Sequence, residues 1–454
     1  MGKRKLFGTD GIRGKANIYP MTCEVAMALG RAVTYYFKKT SGKNKQPLIV
    51  LGKDTRLSCY MLELAFSSGV CSQGGRVVLT GPLPTPGVAF VTGSMRADAG
   101  VMISASHNQY EDNGIKIFDG EGYKLPDSVE LELEQMILNP ELIPAVAGSE
   151  LGRATRLDEV IGRYIVQVKN TFPQVYNLSG TRMVLDCANG ASYKVGPMIF
   201  EELGAEVICI GDNPNGQNIN ENCGSLYPET CQEKVVEYRA DLGICLDGDA
   251  DRLIVIDQNG KIIDGDMIIG ISAKLMLDKG EIKKGDTVVG TVMTNLGLEK
   301  YLESIGLKLH RTQVGDRYIM EYLKESGAIL GGEPSGHLIF KNYATTGDGI
   351  LAALIVMECL KRYKKPIGQL VDDIKLYPQI LKNVKIEKKI PFEEVPGLQN
   401  AVKTIESNFA GKGRVLLRYS GTEYLCRIMV EGEDFQEVEK VCEALVKVVK
   451  RELV

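Results

Sequence analysis

Apolar and polar positions along the chain follow two alternating rhythms. A helical spacing over 21–39 gives way to the apolar strand PLIVLG, then to a second helical stretch at 59–73 and the strand RVVLTG. Strands alternating with helices signal a parallel sheet. The rhythm restarts with MVLDCA at 183–188, a helical segment ASYKVGPMIFEELG at 191–204, VICIG at 207–211, a helix near 228–240 and the run DLGICL. A third round holds the strand TVVGTVM at 287–293 and helices near 296–305, 315–326 and 347–364. The last stretch reads differently: a strand at 382–388, a helix at 397–409, two strands around a Ser-Gly turn and a helix at 434–452.

This pattern predicts an α/β protein of four domains, three similar α/β domains followed by a smaller C-terminal α+β domain. The expected spans are 1–155, 156–260, 261–375 and 376–454. No fixed-period repeat of sequence accompanies the repeated architecture.

With 44% hydrophobic and 25% charged residues, the 454-residue chain is neither disordered nor fibrous. Apolar runs such as Leu351–Leu360 fall short of the ~20 residues a spanning helix needs, and MGKRKLFGTDG lacks the apolar core of a signal peptide. A soluble, cytoplasmic protein with no membrane partner is expected. Its 54 basic and 58 acidic residues give a net charge of −4 without a long basic block, so no nucleic-acid partner is expected either. The eleven cysteines show no C-x-x-C pair and read as buried thiols, and the three histidines, His107, His310 and His337, are too scattered for a local zinc motif.

Four loops could carry chemistry. In VMISASHNQYEDNGIKIF (101–118), an apolar strand runs into a polar loop with Ser104, Ser106, His107 and Asn108 and leaves through Asn113-Gly114. A serine there can be a nucleophile or phosphoryl carrier, with Lys116 as charge partner or proton donor; a polar turn capped by Ser and Asn is the plainer alternative. No G-x-S-x-G elbow supports a serine hydrolase. In LDGDADR (246–252), the alternating Asp247, Asp249 and Asp251 can converge on one side of an extended segment, which is costly without a cation. Mg²⁺ suits such oxygen ligands; a calcium EF-hand fails because Arg252 and Gln258 occupy its Gly and Glu positions. A solvated acidic turn is the alternative.

In GGEPSGH (331–337), Glu333, Ser335 and His337 suit the hydroxyls of a polyol, although an ordinary loop would look the same. In RYSGTEYLCR (418–427), a turn with Ser420, Gly421 and Thr422 between Arg418 and Arg427 could form an anion nest or a simple hairpin. No Walker A sequence occurs.

A serine loop, an Asp triplet, a polyol loop and a phosphate nest, in this order and one per domain, resemble the α-D-phosphohexomutase superfamily. FGTDGIRG (7–14), DCANGASY (186–193), PNGQNIN (214–220), VGDRY (314–318) and TTGDGI (345–350) are similar to its bacterial amino-sugar subgroup, and the match runs from residue 7 to about 432. The resemblance implies that Ser106 is the phosphoserine and that Ser106, Asp247, Asp249 and Asp251 hold Mg²⁺. It places Arg13, Lys116, His107 and Arg252 in the catalytic neighbourhood. Glu333, Ser335, Gly336 and His337 would read the sugar, and Arg418, Ser420, Gly421, Thr422 and Arg427 the idle phosphate. It implies interconversion of glucosamine 6-phosphate and glucosamine 1-phosphate through a 1,6-bisphosphate, on the way to cell-wall amino sugars, with mutases of glucose or mannose phosphates as the alternative. The resemblance also implies that the four domains surround a central cleft, with mixed, mostly parallel sheets in the three similar α/β domains, and that a phosphosugar substrate and a homodimer are the partners. The chain departs from the family at Gln109, Tyr419 and Tyr424, where proline is usual, at Ala250 for a common glycine, and at Gln313, where many relatives carry lysine.

Overall fold

The computed structural model describes residues 5–40, 46–420 and 424–454, which form four successive sheets. The first section runs β1 (Ile12–Lys15), α1 (Cys23–Thr40), β2 (Leu48–Lys53), α2 (Ser58–Ser72), β3 (Arg76–Pro82), α3 (Thr85–Ser94), β4 (Ala99–Ile103), β5 (Asp112–Asp119), α4 (Asp127–Leu138) and β6 (Arg153–Arg156). The second runs α5 (Val160–Lys169), β7 (Arg182–Asp186), α6 (Val195–Glu202), β8 (Glu206–Ile210), α7 (Glu229–Glu237), β9 (Leu242–Leu246), β10 (Leu253–Asp257) and β11 (Ile262–Ile263). The third holds α8 (Gly265–Lys279), β12 (Thr287–Thr291), α9 (Leu296–Ser304), β13 (Lys308–Thr312), α10 (Asp316–Ser326), β14 (Leu330–Gly332), β15 (Leu338–Phe340), α11 (Gly349–Tyr363) and α12 (Ile367–Leu370). The last holds β16 (Gln379–Lys385), α13 (Pro396–Phe409), β17 (Gly413–Tyr419), β18 (Leu425–Gly432) and α14 (Phe435–Leu453).

One winding is used three times. The orders β3-β2-β4-β5, β8-β7-β9-β10 and β13-β12-β14-β15 are the same, each with three parallel strands and a fourth returning antiparallel. β1 and β6 extend the first sheet at its edges, and β11 extends the second. The fourth sheet, β16-β18-β17, is antiparallel throughout. Strands β4, β9 and β10 are buried along their whole length, as strands covered on both faces must be.

The mixed sheets change the setting of the candidate loops. The serine, aspartate and Glu333 loops each join a parallel strand to its antiparallel return, β4 to β5, β9 to β10 and β14 to β15. Asn113-Gly114, expected to end the first loop, therefore lies inside β5. The expected helix at 191–204 is helical only over Val195–Glu202. Its first turns are diverted because Ala191 N donates to Gly248 O at 2.8 Å and a side chain on Gly190 would meet that carbonyl at 2.4 Å. Helix α8, absent from the sequence reading, is buried around most of its circumference, so no polar stripe betrays its period. A shared core, to which α11 contributes Ile350 through Met357, runs through the first three sections, whereas the fourth packs its own.

A buried carboxylate helps tie the fourth section to the third. Glu431 on β18 accepts from Leu296 N at 2.7 Å and from Arg414 Nε at 2.6 Å, and Arg414 in turn donates to the carbonyls of Val292 and Thr294. Glu431→Ala strands a partly buried guanidinium and an amide. It should cost about 3 kcal/mol and lower the temperature at which the C-terminal section melts; an unchanged melting profile would remove this tie from the account.

Candidate functional site

The serine loop is held from behind by a wholly buried arginine. Arg56 donates to the carbonyls of Ser106 and Asn108 at 2.9 Å and of Asp112 at 3.1 Å, bonds that of Gln109 as well, and is itself held by Asp54 Oδ2 at 2.8 Å. Fixed this way, Ser106 adopts a left-handed φ of 52°, uncommon for a residue with a side chain. Its Oγ donates to Asp247 Oδ2 at 2.6 Å.

The three aspartates come together as the alternation predicts. Asp247, Asp249 and Asp251 are buried and offer oxygens all within 4.8 Å of one another. Ala250 between them has a φ of 56°, which accounts for the glycine usual there. Lys116 Nζ lies 2.9 Å from Asp249 Oδ2, 3.3 Å from Asp251 Oδ2 and 3.3 Å from Asp10 Oδ2. Thr85 donates to Asp249. That leaves Asp249 Oδ1 and Asp251 Oδ1 buried without a hydrogen-bond partner among the described residues. Burial, reinforced by Asp251 and Asp249, raises the Asp247 carboxyl to about 8. Burial pulls Lys116 down, but Asp10, Asp249 and Asp251 more than reverse this, so the ammonium stays charged. Two orphaned carboxylate oxygens and a third carboxyl that resists ionisation fit a divalent cation ligated by oxygen.

A cavity of about 420 Å³ opens over this cluster, and its wall includes Arg13, Ser106, Asp251, Arg252, Glu333 and His337. Three sections thus meet at one opening. Arg252 and His337 form an antiparallel bridge, and Leu253 N donates to Gly336 O at 2.9 Å. At Gly336, with φ of 89°, a side chain would meet Leu253 O at 2.1 Å, so this glycine presses the two loops together. Glu333 accepts from Gly315 N at 3.0 Å. His337 spans Asp251 at 3.6 Å and Asp316 at 3.4 Å, contacts that outweigh burial and raise its basicity. His107 is the reverse: burial, then Arg252 and Arg13, push it down to about 4, so it presents a neutral imidazole. Ser335 is exposed and lies off the cavity wall.

Arg418 and Arg427 face each other directly across the β17–β18 pair. Burial and Arg427 lower the Arg418 pKa while Glu333 opposes the shift, and the Nε atoms of both arginines are buried without a hydrogen-bond partner among the described residues. Two adjacent guanidiniums with orphaned donors suit an anion. Ser420 is buried at the strand end, where its N–H donates to Leu425 O at 2.9 Å. Gly421 and Thr422 lie outside the described residues. Gln313 is exposed; Tyr419 stacks on Phe392 at 4.3 Å, and Tyr424 is exposed, with Lys389 over its ring.

Asp10, Lys124 and Asp316 were not singled out from the sequence. Lys124 pairs with both Asp10 and Asp316, and Asp10 also holds Arg13. Burial raises Asp10, but Lys116, Lys124 and Arg13 bring it well below the usual carboxylate range. The segment before Asp10 is anchored by Glu134, whose carboxylate accepts the N–H groups of Lys5, Leu6 and Phe7. Asp10 and Asp316 do fall within FGTDGIRG and VGDRY, whereas Lys124 carried no motif signal.

The chain is similar to known proteins along almost its whole length. Models of the phosphoglucomutase/phosphomannomutase family match in order: alpha/beta/alpha domain I over residues 4–143, domain II over 162–260, domain III over 264–377 and the C-terminal domain over 381–448. The phosphoglucosamine mutase of Desulfovibrio desulfuricans is 53% identical, covering 99% of both chains, and that of Nitratidesulfovibrio vulgaris is 52% identical over 100% of both. Among solved structures, a phosphoglucomutase/phosphomannomutase family protein from Burkholderia thailandensis superposes with a TM-score of 0.82 at 22% identity, covering 98% of this chain and 97% of that one. The N-acetylphosphoglucosamine mutase of Aspergillus fumigatus, in complex with GlcNAc-6P and magnesium, gives 0.72 at 19% identity, covering 100% and 96%.

If the aspartate cluster takes a cation, adding a divalent metal to the metal-free protein should raise its thermal stability, by about 2.7 kcal/mol at a hundredfold excess over Kd. Asp247→Asn should stabilise the metal-free form at neutral pH, since folding no longer has to protonate a carboxyl whose ionisation burial and its neighbours oppose, yet abolish the metal-dependent gain. An equal gain in both proteins would place the ion elsewhere.

Proposed function

The chain belongs to the α-D-phosphohexomutase superfamily, and from its site and its relatives we propose that it interconverts glucosamine 6-phosphate and glucosamine 1-phosphate through phosphorylated Ser106. The observation that carries this reading is the full-length match, at 51–53% identity, to phosphoglucosamine mutases, in a chain whose Ser106 hydroxyl lies 2.6 Å from a buried aspartate cluster.

Phosphoryl transfer depends on in-line positioning and charge neutralisation more than on covalent chemistry. Asp247, Asp249 and Asp251 would hold Mg²⁺, the ion in the Aspergillus fumigatus complex, together with a phosphoryl oxygen of Ser106. When bound, the metal supplies positive charge opposite the transferring group. Lys116, kept protonated by its three carboxylates, and Arg13 on the cavity wall add cationic contacts from the protein itself. Glu333 and His337 accept and donate hydrogen bonds to sugar hydroxyls, and the Arg418–Arg427 pair holds the phosphate not reacting. The phosphoserine gives its phosphoryl group to O1 of glucosamine 6-phosphate. The 1,6-bisphosphate then turns over, the 6-phosphoryl group returns to Ser106, and glucosamine 1-phosphate leaves. A second anion site apart from Ser106, at an arginine pair whose Arg418 feels the charge of Glu333 on the cavity wall, is what that exchange of ends requires.

Ser106→Ala should lower mutase activity by at least about 10³-fold with the melting temperature unchanged; wild-type turnover would sink the phosphoserine. Comparing kcat/KM for glucosamine, glucose and mannose phosphates, with Mg²⁺ and a trace of the matching bisphosphate, tests the substrate. Preference for the amino sugar is the expected result, and equal or better use of the neutral sugars would contradict it.

A further inference from the structure

Residues 212–222 of the second section form neither strand nor helix, yet they are firmly built. Asn215 Oδ1 accepts from Gln217 N at 2.8 Å and Asn218 N at 3.0 Å, Asn218 Oδ1 accepts from Asn215 N at 2.9 Å, and Asn189 Nδ2 donates to Asn218 O at 3.2 Å. Such side-chain-to-backbone bonds replace the missing ladder. They deliver Asn220, with φ of 56° and 2% exposure, against the serine loop of the first section. Its Nδ2 donates to Ser106 O and Asn108 O, both at 2.9 Å. Two carbonyl acceptors fix which end of the amide faces the loop. In return, Gln109 Nε2 donates to Asn220 O at 3.0 Å, giving a role to the residue that stands where the family has proline. The fit is close: a side chain on Gly248 would meet Ser106 O at 2.6 Å and Asn220 Nδ2 at 2.8 Å.

We propose that Asn220 is a positioning residue for Ser106, clasping the serine loop from the second section while Arg56 clasps it from the first. The proposal rests on Ser106 being the phosphoryl carrier. A strained residue keeps its conformation only where its surroundings over-determine it. The carbonyl of Ser106 receives one donor from each section, so the serine is referenced to the section that also supplies Asp247. Asn220 is absent from the cavity wall, which separates positioning from substrate binding.

Asn220→Gly removes the amide and keeps a residue at ease with positive φ. It should lower kcat about 10- to 100-fold, the scale of a small misplacement of a reacting group, with KM for glucosamine 6-phosphate essentially unchanged. Gln217→Ala, an exposed position in the same loop, is the control and should match wild type. Gln109→Ala, which loses only the return bond, should lower kcat about threefold and serves if Asn220→Gly does not fold. A raised KM at unchanged kcat, or wild-type kcat in whichever of the two variants folds, overturns the proposal. If Ser106→Ala also turns over normally, the phosphoserine reading has failed; if Ser106→Ala is inactive, only the clasp has.

Discussion

Lys116 is the charge on which the site depends. Its ammonium, 1% exposed, is shared by Asp10, Asp249 and Asp251, which come from two sections of the chain. Unpaired, those carboxylates would repel one another in a medium that screens poorly. With Lys116 in place, the cluster is compensated in part, and two buried carboxylate oxygens remain without hydrogen-bond partners among the described residues. A site short of positive charge is prepared for a cation and for a phosphoryl group that brings further negative charge with it. Removing one partner from such a set costs far more than the pair contributes, because it leaves a buried charge uncompensated.

The same geometry explains why one winding serves three purposes. In each of the first three sheets, the candidate loop joins the last parallel strand to its antiparallel return. A hairpin connection starts and ends in hydrogen-bonded strands, so it is held at both ends. Placed around one opening, the first gives a hydroxyl, the second carboxylates and the third Glu333 and His337. The fourth section, with its own core and its tie through Glu431, brings two arginines on a separate sheet. As an anion site on a separately packed body, that pair would hold whichever phosphate is not reacting.

Much of this was legible in the sequence. The alternation in LDGDADR announces three convergent carboxylates, and the strand and helix periods announce three rounds and a different fourth. What stayed hidden has physical reasons. Helix α8 is buried around most of its surface, and α3 carries Pro86, Gly87 and Gly93, so neither shows a clear polar period. The antiparallel return strands are invisible to a rule that equates strand-helix alternation with parallel pairing. Lys124 and Arg56 act on partners that include residues far along the chain, Asp316 for the one and the carbonyls after Ser106 for the other, and no local spacing encodes such contacts. Ser335 was the opposite case: chemically suited and in the right motif, it points no atom onto the cavity wall.

The most direct test of the account is to follow the phosphoryl group. The protein is charged with glucosamine 1,6-bisphosphate carrying isotopically labelled phosphate, quenched and mapped by peptide. The account predicts label on the peptide containing Ser106, chased off by unlabelled glucosamine 6-phosphate at a rate no slower than turnover. Isomerisation that proceeds while the label never enters the protein would contradict it.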